Sequence, residues 1–174
     1  MSDSYIRKAK VQDVKAIHGL LMSAAKKGLL LPRSFNELYG HVRDFYVVAD
    51  RENGAVQGCS ALSVAWEDIA EVRSLAVAEE AQGRGLGKKL LEACMSEALT
   101  LGLSKVFTLT YIPDFFRPFG FDEVNKEVLP QKIWADCIHC VKFPECDEIA
   151  MLCSWEPEGE ADGTSGRLER TFFA

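Results

Sequence analysis

The chain has 174 residues, 48% of them hydrophobic, with 20 Lys and Arg set against 26 Asp and Glu for a formal net charge of -6. That length and apolar content suffice for one substantial core, and the dispersed, net-negative charge argues against the concentrated basic face that nucleic acid requires. No stretch approaches the roughly 18 consecutive apolar residues of a membrane span. The start MSDSYIRKAK lacks the apolar core of a signal peptide. A single globular unit in the cytoplasm is expected, with any anion site local.

YIRKA reads as a short strand. In VQDVKAIHGLLMSAAKK, Val14, Ile17, Leu20, Leu21, Ala24 and Ala25 share one face of a helix. Gly28 and Pro32 end that pattern, and Ser34 with Glu37 has the S-x-x-E spacing of a capping box, which predicts a second short helix from about Phe35 to Arg43. FYVVAD and AVQGCSALSVAW are β-rich and separated by RENG, whose Asn53-Gly54 pair signals a hairpin. AEVRSLAV continues the sheet. A helix from about Gly85 to Leu101 follows, with Leu86, Leu90, Leu91, Cys94, Ala98 and Leu101 facing inward. SKVFTLTY is a strand, IPDFFRPFGF a short helix begun near Pro113 and closed by Gly120, and CDEIAMLCSW the last clear strand, with one more β segment around DEVNKEV. This interleaving is that of an α/β protein with one mixed sheet and helices on its faces. EPEGEADGTSGRLERTFFA loses periodicity and is rich in Gly and acidic residues, so 156–174 is read as a disordered or loosely docked tail behind a domain spanning 4–155.

The stretch AEVRSLAVAEEAQGRGLGKKLLEACMSEA carries the chemistry. A strand that passes through Gly83, Gly85 and Gly87 into a helix aims unpaired backbone N–H groups and the positive end of the helix dipole at one spot, which makes an anion site. A Walker loop does not fit, because Gln82 stands five positions before Gly87 and Lys89 follows Lys88. A dinucleotide fingerprint does not fit either: the pattern is G-x-G-x-G in mid-chain, with no acidic residue closing a second strand.

Gln82-x-x-Gly85-x-Gly87, together with RPFGF and the strand and helix order from Tyr5 to Trp155, resembles the GNAT acetyltransferase superfamily. The resemblance implies a GNAT fold, a twisted and mostly antiparallel mixed sheet flanked by helices, and acetyl-CoA as co-substrate. It implies that Leu75, Ala76 and Val77 meet the pantetheine arm and thioester, Leu75 and Val77 through backbone pairing. It further implies that Gln82, Gly83, Arg84, Gly85, Leu86, Gly87 and Lys88 bind the pyrophosphate. Glycines admit the phosphates where side chains would block them.

GLLLPRSFNELYGHVRDF, AEVRSLAV and VFTLTYIPDFFRPFGF further resemble the N-acetylglutamate synthases of arginine biosynthesis, in particular their short form. An amino-acid acceptor, L-glutamate, is implied. The sequence shows no kinase-like domain, so arginine feedback through one is not expected. Homodimers are common in the superfamily.

Acetyl transfer needs a neutral amine, yet an α-amino group has a pKa of roughly 8. Glu71, beside the thioester by this resemblance, is the candidate base, directly or through one water. A backbone N–H near Leu75 or Ala76 is placed to stabilise the oxyanion. Many relatives carry a tyrosine four residues before the Gly-Phe pair; here that residue is Phe116, and Thr110 and Tyr111 are the candidate substitutes for the acid. Two carboxylates on glutamate call for cations set apart, ideally an arginine fork. Arg33 is the first candidate and Arg73 the second, with Lys132 and Lys142 as looser matches.

Cys137, Cys140 and Cys146 lie within ADCIHCVKFPECDE beside His139 and Asp147. C-x-x-C is half of a zinc ribbon, but a second C-x-x-C is absent, and reduced thiols without a metal are the preferred reading. Cys59 and Cys94 sit in apolar runs as small hydrophobes. Two rival functions remain open: acetylation of another amine, on a protein or a small molecule, and a non-catalytic acetyl-CoA or metal sensor.

Overall fold

The computed structural model describes residues 3–130, 137 and 145–156. The tail from 157 onward, Lys132, Lys142, His139 and Cys140 lie outside the described residues. In chain order the elements are β1 (Ser4–Lys8), α1 (Val14–Lys26), α2 (Phe35–Gly40), β2 (Phe45–Asp50), β3 (Val56–Val64), β4 (Ile69–Val77), α3 (Leu86–Thr100), β5 (Lys105–Thr110), α4 (Pro113–Phe116), β6 (Asp122–Glu123) and β7 (Ile149–Ser154). The strands form one sheet in the order β1-β2-β3-β4-β5-β7-β6. Every pairing is antiparallel except β4 with β5. The expected mixed α/β architecture is therefore the one observed, including the extra β segment, which is two residues long.

Local chemistry explains most boundaries. Ser34 and Glu37 form the reciprocal capping box, with the Ser34 amide donating to Glu37 Oε2 at 2.7 Å and the Glu37 amide to Ser34 Oγ at 3.3 Å. The helix they start is shorter than its sequence suggests: α2 stops at Gly40, and a 3-10 turn over Val42–Asp44 leads into β2. β2 and β3 form the expected antiparallel hairpin, with Asn53-Gly54 in its turn. The chain needs the five residues between β2 and β3, with Gly54 at φ +72 and the Asp50 carboxylate accepting from the Glu52 and Asn53 amides at 2.8 and 3.3 Å.

Each face of the sheet carries its own packing. On one, α3 and α4 bury Leu91, Cys94, Ala98 and Phe116 against Ala70, Val72, Val106, Met151 and Cys153. Leu101, expected inward, is 54% exposed, because α3 ends at Thr100 and the chain turns away before that position completes the apolar stripe. On the other face, α1 and α2 pack Val14, Ile17, Leu21 and Leu38 onto Phe45, Val47, Cys59, Ala61 and Ala76. A separate cluster of Ile69, Phe107, Leu129 and Ala150 covers the β4–β5–β7 side of that same face. Burial pushes the thiols of Cys59 and Cys94 up to about 12, as suits residues that serve as small hydrophobes. Among the described residues no helix is long and apolar enough to cross a membrane.

Candidate active site

The site begins with a fault in β4. Its register with β3 slips between Cys59 and Ala61, so that Ser60 faces both Ser74 and Leu75. Ser74 takes φ +55, the one non-glycine in the left-handed region among the described residues. A bulge of this kind bends the strand away from its neighbour. Pairing with β5 is accordingly confined to Ile69–Lys105, Ala70–Val106 and Glu71–Phe107. Beyond Glu71 the strands diverge, β4 staying with β3 and β5 with β7.

The backbone of β4 past the bulge therefore borders a gap. Peptide groups alternate sides along a strand. The Ala78 amide donates to Gln57 O at 2.8 Å and so points toward β3, and in the register Cys59–Ala76 the Ala76 amide, two residues earlier, does the same. Leu75 and Val77 then direct theirs into the gap. Of the two N–H groups expected to serve the oxyanion, this geometry favours Leu75 over Ala76.

At the end of β4 the chain makes a 3-10 turn, Glu79–Ala81, and enters the glycine segment. The Gln82 side chain donates to Val77 O at 3.1 Å and fastens the segment to the strand. Gly83 and Gly85 both take φ +73, and Gly85 caps α3. A Cβ on either would meet nothing within 4 Å. Space thus lies open over the turn at the point where the first amides of α3 have no helical acceptor, which is what a diphosphate needs. Gly87 differs: a Cβ there would rest in ordinary contact with the Phe115 ring at 3.5 Å, which places α4 close beside the start of α3. Leu86 is buried under the turn, while Lys88 lies 3.8 Å from Glu92. These groups fit the pyrophosphate and pantetheine of a CoA thioester.

Glu71 and Arg73 stand on the α1–α2 face of β4, in the seam between its two apolar clusters. Their side chains are only 18% and 14% exposed, and Arg73 Nη1 lies 3.8 Å from Glu71 Oε2. The residues opposite them on β3 are small, Ser63 and Ala61. Arg33 precedes α2 on the same side of the sheet, 3.5 Å from Glu37 Oε1, with its side chain 30% exposed. Partial burial works against charge on Glu37, but the Ser34 amide and hydroxyl and the Arg33 cation outweigh it and hold that carboxyl below the ordinary range.

The two hydroxyl candidates are separated. Thr110 pairs with Ile149 on the α3 face, is 8% exposed and accepts from the Ile112 amide at 3.0 Å, so it shapes the start of α4. Tyr111 follows on the opposite side, and its phenol donates to Asp147 Oδ1 at 2.8 Å. Phe116, where a tyrosine acid stands in many GNAT enzymes, is 3% exposed and packs edge-on against Phe115 and Phe121. Of the cysteine-rich stretch only Cys137 and residues 145–148 are described, and among the described residues no group of His, Cys, Asp or Glu is arranged to hold a metal. Sequence reasoning passed over Ser74, the bulge that opens the gap. Nothing local in the strand IAEVRSLAV marks which residue will bulge.

A split sheet, a bulged strand and a glycine turn at a helix N-terminus define an acyltransferase that works on a CoA thioester. Residues 16–121 match the model of the Acetyltransferase (GNAT) family, and the chain belongs to that family. It is an acetyltransferase, and acetyl-CoA is its acyl donor. It is 41% identical over 151 residues, 87% of this chain and 96% of the relative, to an uncharacterized N-acetyltransferase of Chlorobaculum tepidum. It is 37% identical over 121 residues to the amino-acid acetyltransferase of Mycobacterium tuberculosis, covering 69% of each chain. Against the amino-acid acetyltransferase of Neisseria meningitidis it is 33% identical over 128 residues, yet spans only 29% of that longer protein. Among solved structures it resembles Rv2747 of M. tuberculosis in complex with CoA, at TM-score 0.76 and 28% identity, over 87% of this chain and 99% of that one. It also resembles the N-acetylglutamate synthase of Neisseria gonorrhoeae complexed with coenzyme A and N-acetyl-glutamate, at TM-score 0.78 and 27% identity, over 88% of this chain and 35% of that one.

Proposed function

We propose that the chain transfers the acetyl group of acetyl-CoA to the α-amino group of L-glutamate, the step that opens arginine biosynthesis. The observation that carries this reading is the Glu71–Arg73 pair, a carboxylate and a guanidinium more than four-fifths buried beside the β4–β5 gap, with Arg33 on the same side of the sheet. A base and separated cations are what a dicarboxylic amino acid requires. The amino-acid acetyltransferase relatives and the synthase structure holding N-acetyl-glutamate support it.

In this mechanism Glu71 takes a proton from the glutamate ammonium, whose pKa of about 8 otherwise keeps it charged at neutral pH. The freed amine attacks the thioester carbonyl. The Leu75 N–H donates to the oxyanion, a C–N bond forms, the C–S bond breaks, the nitrogen gives up its second proton to solvent, and CoA leaves as a thiolate that takes up one proton. Of the two hydroxyls put forward as acid, Thr110 accepts from the Ile112 amide and can offer its O–H as a hydrogen bond to the departing sulfur, though an alcohol is a far weaker acid than a thiol and would pass on a proton only as a relay. A thiol pKa near 8.5 lets solvent supply that proton as well.

The test is a panel of free amino acids, peptides, polyamines and aminoglycosides, with acetyl-CoA and a free-thiol readout. L-glutamate is expected to give the highest kcat/KM, with N-acetyl-glutamate as the product seen by mass spectrometry. A peptide N-terminus, a lysine side chain or an aminoglycoside turned over faster than any free amino acid, or no turnover at all, would overturn the reading.

A further inference from the structure

We infer that Glu71 and Arg73 act together as a clamp for the two charges of a free α-amino acid: Arg73 takes the α-carboxylate while Glu71 takes the proton of the amine beside it. The acceptor class would then be the zwitterionic free amino acid, not a peptide N-terminus or an isolated amine. The inference rests on Glu71 being the base. It does not rest on glutamate being the acceptor.

Geometry supplies the argument. The two residues are two apart on β4 and so share one face, immediately before the bulge at Ser74 that opens the gap. Their charged ends approach to 3.8 Å, Arg73 Nη1 to Glu71 Oε2. An α-amino acid presents its charges on a still shorter base, its nitrogen and carboxyl carbon lying about 2.5 Å apart across one Cα. A molecule laid across the pair with its ammonium toward Glu71 and its carboxylate toward Arg73 meets both groups at once. Small residues opposite, Ala61 and Ser63, leave that face of β3 low beside the pair.

Charge makes the match selective. Arg73 and Glu71 stand between apolar clusters, where two ions compensate each other and an unpaired one is costly. An amine without an adjacent carboxylate would have to draw Glu71 away from Arg73 and leave the guanidinium without its partner carboxylate. A zwitterion brings its own anion to Arg73 as it claims Glu71. Arg73 is thus a specificity-determining residue, and its fork is suited to a carboxylate in a way that a lysine ammonium is not.

The experiment compares kcat/KM for the best amino acid of the panel with that for its α-amide. The wild-type chain is expected to prefer the free α-carboxylate by on the order of 100-fold. An α-amide keeps more of its amine neutral at a given pH, so amine ionisation alone would favour the amide. Arg73→Gln should bring the ratio to within a few-fold and leave the KM for acetyl-CoA unchanged, and Arg73→Lys should fall between. Circular dichroism and CoA affinity establish that the variants fold, and the wild-type comparison stands even if they do not. Equal use of acid and amide by the wild-type chain, or an Arg73→Gln variant that loses activity on both alike, would overturn the clamp. A preference for another free amino acid with the acid-over-amide ratio intact would remove glutamate and keep the clamp.

Discussion

The phenol of Tyr111 donates to Oδ1 of Asp147 at 2.8 Å and so ties the end of β5 to the residues that lead into β7. A second bond, from Lys126 Nζ to Cys146 O at 2.7 Å, fastens the same stretch from its other side. The segment they hold adjoins the apolar cluster of Phe107 and Leu129, next to the strand that bears Glu71. With its proton engaged by a carboxylate, Tyr111 is better suited to fixing this wall than to serving the departing thiolate. Tyr111→Phe is expected to lower stability by about 0.5–1 kcal/mol, the worth of a partly exposed hydrogen bond, and to leave turnover within a few-fold of wild type. Denaturant unfolding and steady-state kinetics check the two halves. A drop in turnover by two orders of magnitude or more would make Tyr111 the acid.

A second tie, Arg7 to Asp13, makes part of the stability depend on pH. The guanidinium grips both carboxylate oxygens at 2.6 and 3.0 Å, and the Lys10 amide adds a third bond at 2.7 Å. The hydrogen bonds from Arg7 outweigh burial and hold the Asp13 carboxyl below its ordinary value. The unfolded chain, with an ordinary aspartate near 3.9, then binds its proton first as pH falls. The contribution is complete above that value and is lost as pH drops through the lower folded value. Asp13→Asn should cost about 2–3 kcal/mol at neutral pH, and the difference from wild type should shrink below about pH 4. Urea unfolding at a series of pH values measures it.

Much of this architecture is legible in the sequence because its signals are local. Ser34 and Glu37 announce α2, Gly83 to Gly87 announce the anion turn, and the apolar spacing of α1 and α3 places their buried faces. What the sequence withholds depends on tertiary partners. Leu101 continues an apolar period but finds no sheet beneath it. Asn53-Gly54 signals the hairpin between β2 and β3 but not the length of its loop, which Asp50 helps to set by accepting from the Glu52 and Asn53 amides. The bulge at Ser74 and the pairing of Glu71 with Arg73 depend on how β4 meets β3 and β5, a non-local matter that no window of residues encodes.

Gly85→Val separates cofactor contact from folding. Its φ of +73 strains a branched residue, which costs about 1–2 kcal/mol, but a Cβ there meets nothing within 4 Å. The fold should persist, with a melting temperature a few degrees lower. Affinity for acetyl-CoA should fall at least tenfold, because the new side chain occupies the space over the turn. Isothermal titration with CoA decides it, and unchanged affinity would move the diphosphate elsewhere.

Glu71→Gln keeps the size of the side chain and removes the base. Turnover at neutral pH should fall by about 10²- to 10⁴-fold, with partial recovery as pH rises past about 8 and free amine becomes abundant. Acetyl-CoA affinity should not change, since the turn from Gln82 to Lys88 is untouched. A wild-type pH profile would leave Glu71 as no more than the partner of Arg73.

Arg33 tests the side chain of the acceptor rather than its backbone. It lies in the loop that leads into α2, paired with Glu37 at 3.5 Å while most of its side chain is covered. Glu37 is already held by the Ser34 amide and hydroxyl, so an incoming carboxylate can take the guanidinium without leaving Glu37 unpaired. If Arg33 holds the γ-carboxylate of glutamate, Arg33→Ala should raise the KM for glutamate by an amount equivalent to about 2–5 kcal/mol and leave that for acetyl-CoA near wild type. The preference for L-glutamate over L-glutamine should shrink in the same variant, because the lost contact is the one that tells acid from amide. Arg33→Lys should restore only part of it, a point charge lacking the fork. Stability should change little, since the capping box persists without Arg33. An Arg33→Ala enzyme that still prefers glutamate would shift the second carboxylate to another cation.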